Sequence, residues 1–76
     1  MFTANLLIQT QPGSAKKVVQ KLHATAGLLI ENCFEDRLTA IWRGRNTQDL
    51  VDLIDKLRTF HPEINRIEPT TIESDA

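Results

Sequence analysis

The sequence predicts an α+β protein of the ferredoxin-like class, with the element order βαββαβ and a four-stranded antiparallel sheet. Two observations predict this class. In short segments, apolar and polar residues alternate, as they do in strands with one buried face. In two longer segments, apolar residues recur at helical spacing and form a single stripe. Helices with one stripe can cover only one face of such a sheet, so both helices are expected on the same face.

The first half of the chain is predicted to form a strand, a turn, a helix and a second strand. The first strand covers residues 2–9, and the Gln-Pro-Gly segment at residues 11–13 forms the turn. Ser14 is the predicted N-cap of the helix, and Gly27 occupies its C′ position. The second strand covers residues 28–34. The inward residues of the helix are predicted to be Ala15, Val18, Val19, Leu22 and Ala26.

A tight connection at residues 35–37 joins the second strand to a third strand at residues 38–42, so that these strands form a hairpin. The register of the hairpin depends on the length of its turn. A three-residue turn buries Leu38, Ala40 and Trp42. A two-residue turn reverses the third strand, which exposes Trp42 and buries Thr39 and Ile41. The sequence leaves both possibilities open.

The second half of the chain adds a helix and a last strand. Asn46 or Thr47 caps the helix, residues 61–63 end it, and residues 64–67 form a short strand. Residues from about 70 to 76 are predicted to be a frayed acidic tail of a single domain, 1–76. The first and third strands are central in this topology, and Pro69 suits an edge. The inward residues of the second helix are predicted to be Leu50, Val51, Leu53, Ile54, Leu57 and Phe60.

Composition excludes several classes of partner. The formal net charge of −1 gives no positive field for nucleic acid or for an anionic membrane. No signal peptide and no apolar run long enough for a membrane span is visible. Cys33 is the single cysteine, so an intrachain disulfide is impossible, which suits a reducing compartment and predicts the cytoplasm.

Chemical motifs are absent, so we predict no enzyme, no metal and no cofactor. His23 and His61 lie far apart in sequence and outside any nucleophile motif. The sheet face that the helices leave uncovered is therefore the predicted binding surface, a peptide-binding site in our first hypothesis. It is expected to carry Asn5, Leu7, Gln9, Leu29, Glu31 and Cys33.

The loop after the first strand is an alternative ligand site. Lys16 and Lys17 stand at the positive end of a helix dipole, where cations are unfavourable unless an anion is near. Together with Gly13 and Ser14 they could hold a small acid. A turn followed by capping through Ser14 explains the same residues structurally, and we expect the structural role to dominate.

The whole chain resembles the NapD family, the small cytoplasmic assembly chaperones of periplasmic nitrate reductase. The resemblance lies in the strand NLLIQ at 5–9, the segment AGLLIE at 26–31, the hairpin EDRLTAIW at 35–42 and the helix NTQDLVDLIDKLR at 46–58. It implies a non-catalytic monomer or weak homodimer. Its open sheet face would bind the twin-arginine signal peptide of a molybdenum-containing nitrate reductase subunit and delay its export.

Two other hypotheses belong to different classes. The segment TQPGSAKKVVQKL at 10–22 is similar to the Pro-Gly turn and helix start of ACT regulatory domains, although Gln11 stands where that family has an acid. That resemblance implies amino-acid binding at Gly13, Ser14, Lys16 and Lys17. A homodimerising module is the third hypothesis, in which paired edges or sheet faces cover apolar residues such as Leu7 and Leu29.

Overall fold

The computed structural model describes residues 2–74. Its elements are β1 (Phe2–Thr10), α1 (Ala15–Leu22), β2 (Leu28–Cys33), β3 (Arg37–Gly44), α2 (Thr47–Phe60) and β4 (Ile64–Ser74). The strands form one antiparallel sheet in the order β2-β3-β1-β4. The predicted ferredoxin-like order, with β1 and β3 in the centre and β2 and β4 at the edges, is therefore confirmed.

The core lies between one face of the sheet and the two helices. Leu6 and Ile8 of β1 are fully buried, and their cross-strand partners Ala40 and Leu38 of β3 are fully buried as well. Because side chains alternate along a strand, the other row of each strand lies on the face that no helix covers. We call this second face the open face. The other buried apolar residues are Phe2, Ala4, Ala15, Val18, Leu22, Trp42, Leu50, Leu53, Leu57, Ile64 and Ile67.

The β2–β3 hairpin combines a two-residue turn with a buried Trp42. The N–H of Phe34 donates to the carbonyl of Arg37 at 2.7 Å, so residues 35–36 form the turn. The prediction that such a turn exposes Trp42 is wrong, because Glu31 is an extra residue that forms a bulge in β2. An inserted residue reverses the side-chain alternation beyond it, which restores the register that buries Trp42.

The bulge also moves Cys33 away from the open face. Cys33 lies opposite Leu38, and residues directly opposite each other in a sheet share a face. Since Leu38 is fully buried on the helix side, Cys33 lies at the rim of that side, where it is exposed. The prediction of Cys33 on the open face is therefore wrong. The prediction assumed strict alternation through β2, and an inserted residue reverses that alternation.

Helix α1 is shorter than predicted. It ends at Leu22, and Ala26 lies in the turn that follows, so Gly27 is not its C′ residue. Gly27 has a φ of 78°, and its carbonyl accepts the N–H of Arg43 at 2.9 Å. A Cβ at this position would lie 2.5 Å from the carbonyl oxygen of Arg43. Close approach to β3 is thus the reason that position 27 requires glycine.

Helix α2 has the predicted cap and a narrower apolar stripe. The side chain of Asn46 accepts the N–H of Asp49 at 2.9 Å. Val51 and Phe60 are 45% and 66% exposed, so their predicted inward positions are wrong. Val51 falls outside the i, i+3, i+4, i+7 pattern, and Phe60 faces a hollow beside the turn after α1. The residues that do face the core are Leu50, Leu53, Ile54 and Leu57.

Strand β4 continues well beyond the predicted residues 64–67. It is 11 residues long and pairs with the whole of β1, and its register shifts near Thr70, whose hydroxyl donates to the carbonyl of Asn5 at 3.3 Å. Pro69 lies beside this irregularity on an edge strand, where a missing N–H is tolerated. The predicted fraying is therefore wrong for residues 70–74, because backbone pairing with β1 orders them. Positions 75 and 76 of the predicted tail lie outside the described residues.

A salt bridge connects α1 to the segment that precedes β4. The Nζ of Lys21 lies 2.9 Å from Oε1 of Glu63. This hydrogen bond from Lys21 lowers the pKa of the Glu63 carboxyl from its ordinary value. A lowered pKa stabilises the folded state at neutral pH, and this stabilisation is lost as the pH falls through the folded-state pKa. The contribution is small because the side chain of Lys21 is about half-exposed, so that solvent screens the pair.

Substitution of Leu57 should test the apolar stripe of α2. Leu57 is 3% exposed, so Leu57→Ala should lower the free energy of unfolding by about 2–5 kcal/mol through lost burial and a residual cavity. Urea denaturation followed by circular dichroism measures the change. Val51→Ala is the matched control on the exposed side of the helix, with an expected change of roughly 0.5 kcal/mol or less. Equal effects of the two substitutions would contradict this orientation of α2.

The two glycines with positive φ provide a second test of the fold. Gly13 has a φ of 80° and no heavy atom within 4 Å of a Cβ built there, so Gly13→Ala should cost only the strain of the left-handed region, about 1–2 kcal/mol. Gly27→Ala adds a collision with the backbone of Arg43 and should cost at least about 1 kcal/mol more. The free energies of unfolding of both variants decide the matter. A smaller loss for Gly27→Ala would show that the turn does not approach β3 this closely.

Candidate functional site

The open face is built from alternate residues of all four strands. Residues that pair directly across the ladder share a face, so each row can be followed from β2 to β4. Leu29 of β2 lies opposite Ile41 of β3, which lies opposite Asn5 of β1. The residues that β1 and β3 place on this face are Thr3, Asn5, Leu7, Gln9, Arg37, Thr39, Ile41 and Arg43. Strand β4 adds Arg66, Glu68, Thr71 and Glu73.

Three apolar side chains cross this face diagonally. Leu29 is 65% exposed and pairs with Ile41, which is partly buried. Leu7 pairs with Thr39, two residues from Ile41, and is therefore a diagonal neighbour of Ile41. We call Leu29, Ile41 and Leu7 the apolar stripe. It spans three adjacent strands and has no helix above it, so it can contact an apolar partner without any rearrangement of the sheet.

A polar hollow of about 460 Å³ lies at the Leu7 end of the apolar stripe. Asn5, Glu31, Thr39 and Thr70 line it. The Oγ1 atom of Thr39 is covered and has no hydrogen-bond partner among the described residues. The carboxylate of Glu31 and the side-chain oxygen of Asn5 are acceptors, so the hollow suits a cation that carries several N–H donors.

Charges surround the stripe on both sides. On β4, Arg66 and Glu68 form a salt bridge of 3.6 Å, which partly neutralises both. On β3, Arg37 and Arg43 lie at opposite ends of the strand. Glu31 makes no salt bridge within residues 2–74. The carboxylate of Glu31, which lines the polar hollow, is therefore free to pair with a ligand.

Five of the six residues predicted for peptide binding lie on the open face. Leu7, Leu29 and Glu31 belong to the apolar stripe or the hollow, and Asn5 and Gln9 lie on the same row of β1. The sixth, Cys33, lies on the other side. Ile41 and Thr39 also lie on this face, and their side was left open by the sequence because it depends on the β3 register. The strand pattern of the sequence contains no signal for the bulge that sets this register.

The predicted alternative site around the first turn is partly occupied by the protein itself. The N–H of Gly13 donates to the carbonyl of Glu35 at 3.0 Å, and the N–H of Ser14 donates to that of Gln11 at 3.0 Å. These two donors are therefore not available to the carboxylate of a ligand. Ser14 occupies the predicted N-cap position, but its side chain makes no capping hydrogen bond. Lys17 is exposed.

Gly13 and Lys16 instead border a groove on the helix side of the sheet. Between α1 and the β2–β3 hairpin lies a space of about 600 Å³. We call it the edge groove, since it follows the side of β2 that has no neighbouring strand. Its lining residues are Gly13, Lys16, Val19, Gln20, Cys33, Phe34 and Glu35.

Metal-ligand clusters and membrane-spanning helices are both absent from the described residues. Within residues 2–74, no group of three or more His, Cys, Asp or Glu side chains could hold a metal ion. Neither of the two helices described is long and apolar enough to cross a membrane.

No protein-family model matches this chain, and comparisons with curated proteins and with solved structures found no significant match. The class of the protein therefore follows from its own geometry. The chain is an α+β protein of ferredoxin-like topology with one uncovered sheet face. The apolar stripe crosses that face, and the polar hollow with Glu31 lies beside the stripe.

Proposed function

We propose that this protein is a non-catalytic chaperone of the NapD type, which its sequence resembles. It binds the twin-arginine signal peptide of a molybdenum-containing periplasmic nitrate reductase subunit and delays the export of that subunit. The observation that carries the proposal is the apolar stripe next to the polar hollow, with Glu31 in its lining, on an uncovered sheet face. Binding takes place in the cytoplasm and requires no cofactor.

The two parts of such a leader match the two parts of the open face. An arginine guanidinium presents five N–H donors in a planar fork, and it forms strong hydrogen bonds with a carboxylate. The Glu31 carboxylate and the side-chain oxygen of Asn5 supply acceptors in the polar hollow. The apolar stretch that follows the arginines in the leader would cover Leu7, Ile41 and Leu29, which removes apolar surface of both partners from water.

The sheet offers this surface without changing shape. Two features hold the apolar stripe in place before any partner arrives. The strands are hydrogen-bonded to one another, and the core packs behind β1 and β3. The peptide, in contrast, loses conformational freedom when it binds, and this loss opposes association. A preformed but small surface therefore supports reversible binding, which suits a protein that delays export and then releases its partner.

Reversing the polarity of the stripe should abolish binding. A charge at position 7 would have to be desolvated beneath the apolar part of the leader, so Leu7→Asp should eliminate the heat of binding in calorimetric titration with a twin-arginine leader peptide. The fold should persist, because Leu7 does not face the core. Val51→Asp places the same charge on the exposed side of α2 and should leave binding unchanged. Equal binding by Leu7→Asp and the unmodified chain would refute the proposed site.

The charge of Glu31 in the polar hollow should control the salt dependence of binding. Glu31→Lys replaces an attraction with a repulsion, so it should weaken leader binding and reduce the sensitivity of the remaining affinity to ionic strength. Lys16→Ala and Lys17→Ala should have little effect, because both lysines lie on α1, on the other side of the sheet. Calorimetry at low and high salt gives the comparison. Binding of a free amino acid that depends on Gly13, with no leader binding, would favour the ACT-like hypothesis instead.

A further inference from the structure

We propose that the free edge of β2 is a second binding surface, to which an extended acidic peptide adds as a fifth strand. One apolar side chain of this peptide enters the edge groove between α1 and the hairpin. The proposal does not depend on the chaperone function, because the edge groove lies on the helix side of the sheet and the leader is proposed to bind on the open face.

The two edges of the sheet differ in how well they can accept another strand. Strand β4 contains Pro69, a bulge near Thr70 and the charged pair Arg66 and Glu68, all of which discourage pairing with a further strand. Strand β2 also has a bulge, at Glu31, but its sequence LLIENC contains no proline and no basic residue. The edge formed by β2 is therefore the less protected of the two.

The hydrogen bonds at both ends of β2 show which backbone groups face its free edge. The N–H of Phe34 bonds to β3, so the backbone groups of Phe34 point towards that strand. Neighbouring residues alternate in an antiparallel ladder, so those of Cys33 point outwards. At the other end, the carbonyl of Gly27 accepts the N–H of Arg43, and the same alternation directs the backbone groups of Leu28 and Ile30 outwards. The N–H of Leu28 already donates to the carbonyl of Thr25 at 3.3 Å, so the outward backbone groups of Ile30 and Cys33 are the ones that an added strand would find on the two sides of the bulge.

The edge groove lies on the same side as the side chain of Cys33. An apolar side chain of an added strand would enter it between Val19 of α1 and Phe34 of the hairpin. Phe34 is 51% exposed, and the guanidinium of Arg37 lies 5.2 Å from the centre of its ring. This cation–π contact holds the aromatic wall in position while leaving it accessible.

Two backbone hydrogen bonds fix the end of the edge groove. Gly13 donates to Glu35 at 3.0 Å, and Thr10 donates to Asp36 at 2.7 Å, so the hairpin turn is attached to the loop that precedes α1. Both walls are therefore positioned before a peptide arrives, which reduces the ordering cost of binding.

The charge of α1 indicates an acidic partner. The helix contains three lysines and no acidic residue in its sequence AKKVVQKL. Lys21 is paired with Glu63, whereas Lys16 borders the edge groove and makes no salt bridge within residues 2–74. An acidic side chain of the peptide would pair with Lys16. Glu35 borders the groove at its turn end and opposes this attraction, so its charge should reduce the affinity.

Titration of the ¹⁵N-labelled chain with two designed peptides tests the proposal. The first probe is an acetylated and amidated hexapeptide in which threonine alternates with valine, aspartate and valine in turn, so that valine and aspartate lie on one face of the strand. The second probe has lysine in place of aspartate. NMR spectra should show shifts of the amide signals of Val19, Cys33 and Phe34 with the aspartate peptide. Exchange of the outward amide of Cys33 should slow, and the lysine peptide should bind at least about tenfold more weakly.

Matched variants separate the backbone, charge and folding contributions. Cys33→Pro removes the outward N–H and should abolish binding, while Cys33→Ala keeps that N–H and should bind within about twofold of the original chain. Because proline could also disturb the hairpin, two surface variants give an independent check. Lys16→Glu should weaken binding roughly tenfold, and Glu35→Gln should strengthen it.

Four results would overturn the proposal. Amide shifts confined to Leu7, Thr39 and Ile41 would place the aspartate peptide on the open face. Equal or tighter binding of the lysine peptide would contradict the charge argument, and unchanged spectra at millimolar peptide would show that the edge accepts no strand. Slower exchange of Cys33 on raising the protein concentration alone would identify a second copy of the chain as the occupant.

Discussion

The alternation of side chains along the two central strands is the constraint on which the rest of the structure depends. In β1 and β3, the row that contains Leu6, Ile8 and Leu38 is fully buried against the helices. A chain of 76 residues can bury only a small apolar core, so both helices must cover this row to keep the domain folded. The opposite row is left without a cover. The open face is therefore a consequence of how the small domain achieves stability.

The bulge at Glu31 adapts this plan to the two binding surfaces. It allows Leu28 and Ile30 to pack against the core while Cys33, beyond the bulge, also lies on the helix side. Glu31 itself reaches the hollow beside Leu7 on the open face. One inserted residue thus places an acid next to the apolar stripe and a small side chain next to the edge groove. The two proposed surfaces lie on opposite sides of the same strand, so a partner on one does not block the other.

Sequence reasoning predicted the features that depend on local periodicity. The alternation in β1 and the cap at Asn46 follow from residues close together in the chain, and both are present. The order of strands in the sheet was predicted from the order of the elements along the chain, and it is present as well. The features that it missed depend on contacts between distant segments. Strand β4 extends to Ser74 because β1 is long enough to pair with it. Gly27 is dictated by the backbone of Arg43, and no local pattern reveals that approach.

The candidate site was predictable to the same extent. Asn5, Leu7 and Gln9 follow from the period of a single strand, whereas the side of Thr39 and Ile41 depends on an extra residue in the neighbouring strand. A bulge shifts the register by one residue, and it requires no distinctive residue type on the strand that contains it. The part of the site on β1 can therefore be predicted from the local sequence, whereas the part on β3 depends on tertiary structure.

The environment of Trp42 tests the central claim, the register of β3, most directly. Trp42 is the single tryptophan in a chain without tyrosine, so its fluorescence is observed without interference. It is 5% exposed and packs edge-on against Phe2, with ring centroids 6.2 Å apart. A buried Trp42 should emit at shorter wavelength than free tryptophan and should be quenched slowly by acrylamide. Emission like that of free tryptophan with rapid quenching, from a chain whose circular dichroism shows it to be folded, would place Trp42 on the open face and contradict the account.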